Sequence, residues 1–198
     1  MKTNSLKKIF ILFFFFIFSN IIIADEFTLI EQTFESSNFK NLDIKSYTGN
    51  VTIKTWDKAA VNVLIRGNQE ALKSIGYNLD NKDGNITVTT SLKVETNKQG
   101  IELGIEVYTP KYFNVDVKTL GGDIKLGYLT GNIKLETLGG DINVSEITGE
   151  SDLKSTGGSI KISTFKGNVT ANTSGGNINL EGLDGEIKAE TSGGDIKV

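Results

Sequence analysis

From Val115 to the end of the chain, apolar residues recur in pairs split by one polar residue: Val115 and Val117, Ile124 and Leu126, Ile133 and Leu135, Ile142 and Val144, Ile160 and Ile162, Ile178 and Leu180, Ile196 and Val198. The pairs fall on a spacing of nine residues, with Ser151 and Ala171 as weak rungs of the same series. Alternation of this kind predicts short β-strands with one face inward and the residue between (Lys, Asn, Asp or Thr) outward. A strand this short cannot bury its apolar face alone. Equivalent strands stacked at ~4.8 Å build a continuous core, which is the logic of a solenoid.

Glycine punctuates the pattern. With each nonapeptide numbered from one, starting at Thr119, position four is Gly122, Gly131, Gly140, Gly149, Gly158, Gly167, Gly176, Gly185 and Gly194. A glycine in every copy predicts a corner, where the backbone needs positive φ or neighbouring coils leave no room for a Cβ. The doubled glycines at Gly121, Gly139, Gly157, Gly175 and Gly193 occur only in alternate nonapeptides. Two unlike sides therefore make one coil. The expected fold is all-β, a parallel β-helix (β-solenoid) with about 18 residues per coil made of two 9-residue half-repeats. The regular part would rise roughly 22 Å at the strand spacing.

Before the repeats the pattern remains β but loosens. Leu42 and Ile44, Val51 and Ile53, then Val61, Val63 and Ile65 alternate with polar residues, and the first two pairs are again nine apart. The stretch NQEALKSI from Asn68 is the best helix candidate, and Asp83-Gly84 between alternating runs predicts a tight hairpin turn. The regular repeats are expected over residues 110–198, with residues 25–109 an irregular N-terminal β segment continuous with them.

The first residues change the picture of where this solenoid acts. Lys2, Lys7 and Lys8 precede an apolar run from Ile9 to Phe18 and a stretch ending at Ala24, the pattern of a secretory signal peptide over residues 1–24. The apolar run is too short for a membrane span, so the exported chain is expected to carry no integral span. Removing residues 1–24 takes three lysines and no acid, so the net charge of −3 becomes 18 minus 24, or −6. No basic stripe for nucleic acid is expected from that balance. The absence of Cys from the sequence excludes disulfides and a lipid-anchored cysteine.

Candidate chemistry is correspondingly narrow. Without His or Cys, Ser-His triads, thiol nucleophiles and ordinary zinc or iron sites are unavailable. Paired carboxylates suffice for glycosidic cleavage, but β-helix enzymes break their coils with long loops, and these repeats run without an insertion. The polar positions of the double-glycine side form the candidate binding face: Thr119, Thr137, Thr173 and Thr191 at position one, and Asp123, Asp141, Asn177 and Asp195 at position five. A calcium row is disfavoured because the third loop glycine of a calcium nonapeptide is replaced by Ile124, and its carboxylate by Leu126. A threonine ladder invites an ice-binding reading, but the neighbouring rank is Leu, Leu, Thr, Ser, Ser. Neither a metal nor a cofactor is called for.

The phrases TPKYFNVDVKTLGGDIKL, TGNIKLETLGGDI and ETSGGDIKV, after a leader and a looser β region, resemble the bacterial putative-adhesin family of β-strand-repeat proteins. That likeness runs from Leu42 to Val198. It implies a parallel β-helical domain of unknown function and transfers no catalytic or ligand residue. The expected function is an exported, non-enzymatic solenoid presenting a polar face to an envelope, glycan or protein partner, in the periplasm, at the cell surface or secreted. A structural protein that polymerises end to end through the coil ending at Val198 is the rival reading, and a polysaccharide-acting β-helix enzyme the remote one.

Overall fold

The computed structural model describes residues 27–35, 40–93 and 100–198. The leader at residues 1–24 lies outside them. The first part of the fold contains β1 (Phe27–Glu35), β2 (Asn41–Ser46), β3 (Asn50–Trp56), β4 (Ala60–Gly67), α1 (Gln69–Ser74), β5 (Ile75–Lys82), β6 (Asn85–Leu92) and β7 (Leu103–Pro110). The second part contains β8 (Asn114–Thr119), β9 (Ile124–Gly127), β10 (Ile133–Thr137), β11 (Ile142–Ser155), β12 (Ile160–Thr173), β13 (Ile178–Asp184), β14 (Ile187–Thr191) and β15 (Ile196–Lys197). No helix among the described residues is long and apolar enough to cross a membrane.

The protein is all-β and solenoid-like. The strands stack into two faces with the core between them. Face A runs β5-β6-β2-β8-β10-β11-β12-β14, and face B runs β1-β4-β7-β3-β9-β11-β12-β13-β15. β11 and β12 are long enough to bend round a corner and serve both faces, which joins them into one hydrogen-bonded sheet. Pairing within the repeats is parallel and in register: Ile124 with Ile142, Ile142 with Ile160, Ile160 with Ile178, Ile178 with Ile196. Within the repeats the paired residues lie 18 apart in sequence, the offset at which the Asp141 amide meets Asp123. Ile124, Leu135, Ile142, Leu153, Ile160, Ile162 and Ile178 are fully buried, as the alternation predicts.

The corners differ. At the double-glycine corner the inward alternation continues one step past the strand, so position one is inside: Thr119, Thr137, Ser155 and Thr173 are all buried. At the single-glycine corner position two is inside instead, as Leu129, Ile147 and Phe165. The switch comes from the residue before them, because Tyr128, Glu146 and Thr164 adopt left-handed backbone at φ 59°, 54° and 56°. One residue in that region reverses which side faces the core.

Close approach, more than φ, explains position four. Gly140 is not left-handed, yet a Cβ there would sit 2.0 Å from the carbonyl oxygen of Gly122 in the coil beneath. Gly167 combines both demands, with φ 127° and the Gly149 oxygen 2.0 Å from the added atom.

Chain order and stack order part company in the first half. β2 and β3 form a rung beneath β8 and β9, with Leu42 on Val115, Ile44 on Val117, Val51 on Ile124 and Ile53 on Leu126. The chain then leaves the stack, adds the rungs β6 and β7 on the far side of β2 and β3, and returns at β8. From β8 onward chain order and stack order are the same. Antiparallel strands close this end: β4 on β7, β1 on β4, β5 on β6. The NQEALKSI stretch supplies α1, with Asn68 accepting the Ala71 amide as its N-cap at 3.0 Å. Asp83 and Gly84 take φ 53° and 84° in the β5–β6 turn, both positive as the Asp-Gly signal requires.

Candidate functional site

The residues of the predicted binding face separate into two structural ladders. The position-one hydroxyls are spent on backbone. Thr137 Oγ1 donates to the Gly122 carbonyl (3.1 Å) and accepts from the Gly140 amide (3.2 Å). Ser155, Thr173 and Thr191 repeat the arrangement, donating at 2.9, 2.7 and 2.8 Å to the glycine carbonyl of the previous corner. Thr119 closes on its own corner, donating to Gly121 at 2.9 Å. Thr119, Thr137 and Thr173 therefore belong to the corner interior, and Thr191, half-buried, ends the same column. This corrects their placement on an outward face: the period-two alternation runs through them. Replacing Thr137 by Val keeps the shape but orphans a buried amide and weakens a glycine carbonyl. A loss of about 1–3 kcal/mol is expected, and a much smaller one for Thr137→Ser, which keeps the hydroxyl, as melting temperatures will show.

Position five faces solvent but is also engaged. Asp123 accepts the Asp141 amide (3.0 Å), Asp141 the Ser159 amide (2.7 Å), Ser159 the Asn177 amide (3.2 Å) and Asn177 the Asp195 amide (2.8 Å). Asn50 begins the column by accepting the Asp123 amide at 2.9 Å. Short polar side chains are favoured here because they satisfy corner amides that turn away from the strand ladder. Asp123, Asp141, Asn177 and Asp195 are thus brought into one column that bonds coil to coil.

The open surface lies on the two strand faces. Face A carries a groove of about 1030 Å³ crossing β2, β8, β10, β11, β12 and β14. Its floor is the position-seven column Asp43, Asp116, Lys134, Asp152, Thr170, Lys188, each residue in register with the next. Three aspartates stand there with two lysines and a threonine. Lys154 bonds Asp152 at 2.8 Å, which raises the ammonium above its ordinary pKa, while Asp116 Oδ1 and Asp152 Oδ1 are buried without a hydrogen-bond partner. This groove belongs to the single-glycine side. The signal for it was the same alternation that picked out the other side.

Face B has a different character. A groove of about 580 Å³ is lined by Lys54, Lys125 and Lys161 with Thr52, Ser145 and Ser163 among the hydroxyl residues, and no Asp or Glu lines it. At its edge Trp56 and Tyr108 stack with ring centres 5.4 Å apart, Lys58 Nζ lies 4.7 Å over Trp56, and Lys54 Nζ lies 5.4 Å over Tyr108. Glu106 accepts hydrogen bonds from Lys54 and Tyr108, which hold its carboxyl below the usual range. Sequence reading missed this cluster, because only the interleaving of β7 beneath β3 brings Tyr108 to Lys54 and Trp56.

A comparison with known protein families bears on the fold. The model of the family described as Toastrack DUF4097 matches residues 39–198, nearly all of the described chain. The chain belongs to the Toastrack family. This agrees with the resemblance read from the glycine repeats. The Toastrack chain is also similar to solved structures of a putative adhesin from Bacteroides fragilis NCTC 9343 (13% identity, 85% of this chain and 96% of that chain, TM-score 0.43). It is similar to a putative cell adhesion protein from Clostridium sporogenes ATCC 15579 (9% identity, 85% and 98%, TM-score 0.35). A third is a putative lipid binding protein from Parabacteroides distasonis ATCC 8503 (12% identity, 85% and 96%, TM-score 0.32). No curated protein matches this Toastrack chain.

Proposed function

We propose that this Toastrack chain is an exported, non-enzymatic binding module, an adhesin-like solenoid of about 18 residues per coil that presents laddered polar faces to a partner at the cell envelope or outside the cell. The carrying observation is the groove of face A, about 1030 Å³, to which successive strands each contribute the same repeat positions. A surface that repeats at the strand spacing of ~4.8 Å suits an extended or repetitive partner better than a small substrate. The leader composition over residues 1–24 supports export. The glycine, hydroxyl and position-five ladders hold coils together, which leaves the position-seven columns as the outward surface that takes no part in joining the coils.

The test is retention of the full chain on envelope fractions and on a glycan array, alongside reducing-end release from a polysaccharide panel. Retention without release is expected. No retention on either support removes the binding reading, and sugar release replaces it with an enzyme.

A further inference from the structure

We infer that the lysine groove of face B binds an acidic glycan, one that carries a carboxylate on alternate sugar residues. This rests on the reading of the chain as an extracytoplasmic binding module and names the ligand chemistry of one of its faces.

The position-seven column on this face reads Thr52, Lys125, Asn143, Lys161, Asn179, Lys197, each in register with the next. Lysine stands on every second strand of the repeats, so successive ammoniums are set about 10 Å apart by two strand spacings. Lys125 and Lys161 are exposed and make no ion pair among the described residues, so their charge is available to a ligand. The acids that approach from neighbouring elements are few. Glu106 on β7 is engaged by Lys54, Tyr108 and Arg66. Glu146 stands near Tyr128 at the corner, and Glu181 stands beside Ser163 on β13. The whole chain is mildly acidic, yet stacking repeats at an offset of 18 residues sorts lysines from distant sequence positions onto one column. That is why the sequence total pointed away from a basic stripe.

Three features select the occupant. An ammonium every ~10 Å matches a polyanion of sparse charge, whereas a nucleic-acid strand offers a phosphate every ~3.4 Å. Among the exposed large apolar side chains of the described residues, Tyr128 alone lines the groove and no aliphatic one does, too little apolar surface to insert into a lipid surface. The half-buried Trp56–Tyr108 pair at the edge, with the hydroxyls of Thr52, Ser145 and Ser163, offers ring surface for sugar C–H groups and partners for sugar hydroxyls. Lys58, held over the Trp56 ring, places a further ammonium at the same end, while the Lys54 ammonium is paired with Glu106.

The experiment measures binding of the full chain by calorimetry to hyaluronan oligosaccharides, whose carboxylates fall on alternate sugars. Dextran, poly-dT and phosphatidylglycerol vesicles are the comparison probes. Hyaluronan is expected to bind, with affinity falling as salt rises, and dextran is not. The variant Lys125→Glu/Lys161→Glu is expected to lose at least about tenfold in affinity, and the control Lys73→Glu/Lys82→Glu, exposed on the antiparallel cap and outside both grooves, to stay within about twofold. Both variants change exposed side chains, and equal melting temperatures establish that both fold. Absence of hyaluronan binding, unchanged binding in the Lys125→Glu/Lys161→Glu variant, or tighter binding to poly-dT or vesicles overturns the inference. Running both variants on the envelope fractions separates the two readings. Retention that survives Lys125→Glu/Lys161→Glu defeats the groove assignment and leaves the binding module standing, while failure of the unmodified chain to be retained defeats the module itself.

Discussion

Gly140→Ala lowers the melting temperature by roughly 6–12 °C, whereas Gly139→Ala leaves it unchanged or slightly higher. The two glycines are neighbours in sequence and opposites in space. A Cβ on Gly140 would lie 2.0 Å from the Gly122 oxygen, 2.3 Å from its carbonyl carbon and 2.7 Å from the Asp123 nitrogen, all backbone atoms. Nothing there can rotate away. Relief requires the corners to separate, which strains the bond from the Ile124 amide to the Asp141 carbonyl (2.9 Å) and that from Thr137 Oγ1 to Gly122 (3.1 Å). Overpacking of this kind costs about 3 kcal/mol, the upper part of the usual range, and about 2–4 °C per kcal/mol for a chain of this size. At Gly139 the nearest atoms are the Gly121 Cα at 3.9 Å and the Leu120 oxygen at 4.0 Å, ordinary contact distances. Its backbone lies outside the left-handed region, so alanine there mainly reduces the entropy of the unfolded chain. Equal melting temperatures for the two variants would contradict the account of position four as a line of contact between coils.

That contrast shows which kinds of information the repeats carried. Period-two alternation and an unbroken spacing of nine make the strands, their inward residues and their parallel stacking readable from Thr119 onward. Those rules depend only on neighbours along the chain and on copies one coil away. The corner switch at Tyr128, Glu146 and Thr164 was not readable, because none of these residues favours left-handed backbone and only the packing of Leu129, Ile147 and Phe165 imposes it. Nor was the order of the first rungs. The Asn114 amide group bonds Asn41 across 73 residues of sequence, with the antiparallel cap inserted between, and no local signal records such a pairing.

The same division applies to the candidate site. Acids and hydroxyls at fixed spacing look like a binding rank when only their chemistry is considered. In place, the hydroxyls complete corners and the position-five residues receive amides from the next coil. What faces solvent outside those ladders is the position-seven column on each face, and the two columns differ because their residues come from different half-repeats. Face A mixes three aspartates with two lysines and a threonine, and face B alternates lysines with asparagines through the repeats. A repeat of identical units would have produced two equivalent surfaces. The unlike halves give one protein two polar surfaces of different charge on opposite sides of a single core.

The depth of that core sets the other large effect: Ile142→Asp removes most of the stability of the fold, while Lys125→Asp moves the melting temperature by no more than a degree or two. Ile142 is fully buried, with Ile124 beneath it and Ile160 above in register. Truncating such a side chain costs about 2–5 kcal/mol for the lost contacts and the cavity. A carboxylate adds the cost of desolvation, since the rungs on either side are aliphatic and offer no partner, so the group either protonates or draws water between the coils. Against a total stability of about 5–15 kcal/mol, the sum leaves little margin. The damage should spread, because each rung of a solenoid is supported only by its neighbours. Lys125 sits on the rung with Ile124 and Leu126 but points outward and makes no ion pair among the described residues, so its replacement touches neither packing nor a charge pair. Thermal unfolding followed by circular dichroism distinguishes the cases, and comparable melting temperatures would show that the alternation had been assigned to the wrong face. The pair also separates stability from recognition: Lys125→Asp should fold like the unmodified chain and still weaken its hold on an acidic glycan.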